Sequence, residues 1–88
     1  MSLRRNWRPL TRATIADVPD RYGVFEVGTA DGTSLGHGVG VLADELRETL
    51  AYGTVPTSHP DRDGEPERVR WVEAQSREHA ERLAADRF

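Results

Sequence analysis

The side chains able to hold a metal ion or move a proton are spread thinly along this sequence. His37, His59 and His79 lie far apart and lack the close spacing of a preformed metal site. There is no cysteine, which excludes disulfides, cysteine-ligated zinc and thiolate nucleophiles together. If the last helix covers the second strand, His37 and His79 meet near Glu81, and two imidazoles with one carboxylate suit a divalent cation. The plainer alternative is that each histidine is a separate surface or half-buried polar residue. Arg68 and Arg70 share one strand face, where two guanidiniums can grip an anion. Alternatively they form a solvated outer face opposite cross-strand acids such as Glu26. The run Gly36-x-Gly38-x-Gly40 precedes a helix, as anion-binding loops do. Its spacing differs from the dinucleotide fingerprint, and Asp44 and Glu45 in the helix's first turn repel an anion.

Charge narrows the choices only a little. All twelve cationic side chains are arginine, and isoleucine occurs once, at Ile15. That bias fits a GC-rich genome, such as that of a salt-loving archaeon, so arginine content alone is no nucleic-acid footprint. Arginines cluster once: Arg4, Arg5, Arg8 and Arg12 share residues 1–12 with no acid among them. A basic arm of this kind can reach phosphates. It can equally be a lead-in anchored by Trp7 and Leu10, and a net charge of -3 opposes a polyanion.

Those residues need a scaffold, and 88 residues allow one small domain. At this size roughly 60–65% of the unfolded surface is buried, which makes for modest stability. No stretch approaches the roughly 18 apolar residues of a membrane span, and the arginine-rich start lacks a following apolar region. A soluble, cytoplasmic protein is the expectation. Thr11 to Asp17 reads as one or two helical turns that end before Val18-Pro19. Tyr22 to Val27 alternates as a strand, with Gly23, Phe25 and Val27 on one face. Asp31-Gly32 supplies a hairpin turn, and Thr33 to Val41 a second strand whose Gly36, Gly38 and Gly40 leave one face bare. Such a strand needs a helix or a ligand laid over it. Leu42 to Tyr52 is an amphipathic helix closed by Gly53, with Glu45 and Glu48 outward. Thr54 to Pro66 reads as a mobile acidic loop. In Glu67 to Ala74, Val69 and Trp71 face inward, and Val72 shares the face of Arg68 and Arg70. A last helix is capped by Ser76 and striped with Ala80, Leu83, Ala84 and Phe88. The fold class expected is α/β (α+β), a small three-stranded antiparallel or mixed sheet in β-β-α-β-α order. Residues 1–17 form a basic lead-in and residues 18–88 the domain.

This layout resembles the GIY-YIG endonuclease domain over roughly Val18 to Phe88. Gly23-Val24-Phe25 stands where the family has Gly-Ile-Tyr, and Gly38-Val39-Gly40 where it has Tyr-Ile-Gly. Leu46-Arg47-Glu48-Thr49-Leu50 takes the place of its Leu-x-x-Arg-Leu helix. Glu81, Leu83, Ala84, Ala85 and Phe88 are similar to its closing helix, whose glutamate binds the metal. The resemblance implies Mg²⁺ or Mn²⁺ at Glu81 and no other cofactor. It also implies that the family's catalytic hydroxyls are gone, because Phe25 has none and Gly38 has no side chain. The family arginine falls on Thr49. Arg47 lies two residues earlier, about 200° around the helix.

The function expected is therefore a catalytically degenerate GIY-YIG-like domain serving as a small binding or interaction module. The alternative is a divalent-metal-dependent nuclease with rearranged residues, in which Glu81 holds the ion and Arg47 or an N-terminal arginine meets the phosphate. The motif positions Gly23, Phe25, Gly38 and Gly40 mark its cleft. The partner is a nucleic acid or a protein, with no membrane, and the chain is a monomer or a homodimer.

Overall fold

Strand alternation builds the centre of this protein. In β2 (Tyr22–Gly28) the side chains point to opposite faces in turn, and six of the seven residues are buried. A strand so enclosed must be paired on both sides and covered on both faces. The structure, a computed structural model that describes residues 5–55 and 64–88, meets both demands. β2 pairs antiparallel with β3 (Ser34–Val41) on one side and with β4 (Arg68–Glu73) on the other. The β2–β3 hairpin turns at Gly32, whose φ of 88° suits glycine. The Asp31 carboxylate accepts hydrogen bonds from the Thr29 hydroxyl and the Thr33 N–H, and these hold its carboxyl below the usual range.

The sheet has four strands where three are expected. Arg8–Pro9 forms β1 against β4, giving the order β1-β4-β2-β3. Two residues ending in proline carry no periodicity to read. The pairing is held instead from outside the strand, by the Leu10 N–H donating to the Glu67 carbonyl at 2.9 Å. The following helix, α1 (Arg12–Ala16), is capped by the Thr11 hydroxyl, which accepts from the Thr14 N–H. Much of the basic lead-in thus joins the sheet and its cover.

Helices lie on both faces. α1 and α2 (Leu42–Tyr52) cover the face of Phe25 and Val27, with Ile15, Val18, Leu42, Ala43, Leu46 and Val69 buried there. α3 (Arg77–Arg87) covers the opposite face, where Ala80 meets Val24 and Ala74, flanked by Val39, Val72 and Phe88. Gly53 closes α2 in the left-handed region at φ 68°, and the Ser76 hydroxyl caps α3 by accepting from the His79 N–H at 3.1 Å. No helix among the described residues is long and apolar enough to cross a membrane. Most of the acidic loop, residues 56–63, lies outside the described residues.

α2 covers the bare glycine face at its Gly40 end. A Cβ at Gly40 would fall 2.5 Å from Oε1 of Glu45, so this side chain, expected outward, lies half-buried over the strand. Burial, with the Glu48 charge beside it, pushes the Glu45 carboxyl above its usual range. A pKa raised by folding means that ionisation works against the fold. The stability tied to this group is present at acid pH and is lost as pH rises through the raised value. Glu45→Gln is therefore expected to raise the urea midpoint at neutral pH, with the gap closing below the ordinary carboxylate range. Equal midpoints at neutral pH would contradict that sign.

Candidate functional site: a buried charge row and an arginine-lined cleft

Register places three titratable side chains in one row on the α3 face. Glu26 stands opposite His37 on β3 and opposite Arg70 on β4. The Glu26 side chain is fully buried, and Arg70 Nε donates to its Oε1 at 2.7 Å. Arg70 also donates from Nη1 to the Arg5 carbonyl at 3.1 Å and lies 3.9 Å from the Trp7 ring centroid. At the other end His37 stacks on Phe88, with centroids 3.8 Å apart and planes 5° from parallel. The N-terminal indole and the C-terminal phenyl thus close the two ends of one charge row. Arg70 and Glu26, expected on a solvated face, form instead an ion pair shielded from water, because Trp7 folds over what α3 leaves open. Room for the indole comes from Gly28, where a Cβ would fall 2.7 Å from the ring.

Beside this row opens a cleft of about 670 Å³, lined by Arg5, Asn6, Arg8, Arg70 and Trp71 to Glu73. It runs along the outer edge of β4, beyond the two residues that β1 covers. Arg8 is tied to Asp17 at 2.8 Å and lies 5.5 Å from the Trp71 ring centroid. The exposed Arg5 side chain makes no ion pair among the described residues. The cleft therefore joins cationic heads to an apolar floor and to strand backbone.

The residues singled out in the sequence are only partly gathered. Phe25 faces Gly38 directly across the hairpin, and Gly23 faces Gly40. Phe25 is 3% exposed within the core beneath α2. A Cβ at Gly23 would lie 2.5 Å from the Val72 carbonyl oxygen and 2.6 Å from Leu42 Cδ1, so this part of the face is packed shut. Arg47 is exposed on α2 and bound to Asp44 at 3.2 Å. Glu81 is exposed on α3, on the other side of the sheet. His79 Nδ1 accepts from the Gln75 N–H at 3.0 Å, next to the helix cap. Among the described residues no three His, Asp or Glu side chains are grouped to hold a metal ion. His59 and Arg4 lie outside the described residues. Sequence alone does not reveal the row, because an acid opposite two arginines equally fits a solvated sheet face. One signal could have found it: an acid between Val24 and Val27, on a strand expected at the sheet's centre.

Neither the curated proteins nor the solved structures include a match to this chain. A family model does match, that of the domain of unknown function DUF7508, and it covers residues 1–87. With nearly its whole length matched, this protein belongs to the DUF7508 family.

Proposed function

We propose that this protein is a catalytically silent binding module with a GIY-YIG-like layout, and that it binds through the arginine-lined cleft. The observation that carries this reading is the pair Phe25 and Gly38. The two positions that correspond to the family's tyrosines are cross-strand neighbours. Neither supplies a hydroxyl, and Phe25 is closed under α2 rather than open to water. Phosphodiester hydrolysis needs a positioned water and a cation on the phosphate. The separation of Arg47 from Glu81 by the sheet supports the same reading. The cleft, by contrast, is open and offers cations, an indole and backbone groups together.

The test is a plasmid-nicking assay with Mg²⁺ and with Mn²⁺, run on the wild-type chain and on Glu81→Gln. No nicking above buffer is expected from either protein. Metal-dependent nicking that disappears in Glu81→Gln would overturn the reading.

A further inference from the structure

We propose that the outer edge of β4 accepts an acidic peptide in extended form, which adds to the sheet as a further strand beyond β1. The inference names the partner of the binding module and rests on that reading.

The backbone carries the argument. On the inner side of β4 the Ala74 N–H donates to the Tyr22 carbonyl at 2.8 Å, and on the outer side the Glu67 carbonyl accepts from Leu10. Backbone groups alternate along a strand, so Val69, Trp71 and Glu73 direct theirs outward. Val69 is covered, opposite Arg8 of β1. Trp71 and Glu73 are not: among the described residues, their outward N–H and C=O groups bond to no other part of the chain. β1 stops at Arg8, although its register would set Trp7 beside Arg70, where the indole lies. The gap β1 leaves is the cleft. An edge with alternating donors and acceptors, flanked by side-chain contacts, is the surface used in strand addition.

Charge selects the peptide. Arg5 and Arg8 stand at the cleft, and Arg5 is without a counter-ion among the described residues. Alternate peptide side chains would fall on the two faces of the edge, and on the face of Trp71 the Arg8 guanidinium, 5.5 Å from the ring centroid, sets a cation beside the apolar indole. A nucleic acid suits the edge less well. Phosphates only accept hydrogen bonds, leaving the outward carbonyls unmatched.

The test titrates the ¹⁵N-labelled full chain with a blocked peptide of alternating glutamate and valine. Its lysine-and-valine counterpart and a single-stranded oligonucleotide are run beside it. Shifts and slowed hydrogen exchange at the Trp71 and Glu73 amides are expected with the acidic peptide alone. Arg5→Glu, a change at an exposed position, should weaken binding about fivefold to tenfold. Two variants at Glu73 separate backbone pairing from charge. Both remove the carboxylate, so attraction by charge alone predicts tighter binding for each. Strand addition predicts tighter binding for Glu73→Gln and weaker binding for Glu73→Pro, which loses an outward N–H without touching the β2 ladder. Equal effects of the two variants, preference for the oligonucleotide, shifts confined to the β3 edge, or no binding would each overturn the proposal. Nicking measured separately tells its failure from that of the module reading: a silent nicking assay with no peptide binding removes only the strand-addition partner.

Discussion

Glu26→Gln is expected to lower the stability of the fold by about 3–5 kcal/mol, the range for removing one partner of a buried ion pair. The amide keeps nearly the shape of the carboxylate, so packing is preserved and the loss reports charge. What remains is a guanidinium held between the sheet and Trp7, only 12% exposed, with its counter-charge gone. Against a total of about 5–15 kcal/mol for a domain of ordinary stability, this is a large share. The melting temperature should fall by roughly 12 °C or more. Asp17→Asn is the internal control, because it breaks the exposed Arg8–Asp17 pair and should change stability by about 1 kcal/mol or less. Salt separates the two further, since screening weakens the surface pair and hardly reaches the buried one. The double variant Glu26→Leu with Arg70→Met should recover most of the loss, as apolar replacements of buried pairs generally do. A loss below about 1 kcal/mol for Glu26→Gln would mean that water reaches this pair despite its burial.

Gly23→Ala is expected to cost about 3 kcal/mol, at the upper end for overpacking a filled core. A single methyl group there meets two obstacles of different kinds. Leu42 is fully buried, and its Cδ1 would be 2.6 Å away with no free space to swing into. The Val72 carbonyl oxygen, at 2.5 Å, is backbone of the neighbouring strand, and moving it disturbs the ladder between β2 and β4. Gly53→Ala makes the useful comparison. No atom of the described residues lies within 4 Å of a Cβ at that position, so the penalty expected is that of the φ of 68°, about 1 kcal/mol. In a Leu42→Ala background the Gly23→Ala increment should shrink but persist, since the carbonyl remains. Urea titrations of the four proteins measure this directly. An increment no larger than that of Gly53→Ala would show that β2 and β4 part easily at this point.

Residue pattern alone gives the order of the elements from α1 onward, which residues share a strand face and where the helices stop. These are local matters. Alternation over Tyr22 to Val27 assigns faces without knowledge of the partner strand. Gly32 and Gly53 mark turns because their backbone angles suit glycine, and the Ser76 hydroxyl caps the turn that follows it. The Gly36, Gly38 and Gly40 run announced a close cover, which α2 provides at Gly40 through Glu45. Other features arise only from contacts between distant segments. β1 exists because Leu10 finds the Glu67 carbonyl 57 positions away, a contact with no trace in a two-residue segment. Glu26 is buried because register sets it beside Arg70, and the N-terminus brings Trp7 over that arginine. Spacing along a chain says nothing about which strand lies alongside. Arg47 and Glu81 are parted because α2 and α3 take opposite faces of one sheet, a consequence of where each helix can bury its apolar stripe. The open edge of β4 belongs with these. It follows from β1 ending at Arg8, and no pattern in a two-residue strand records where its pairing stops.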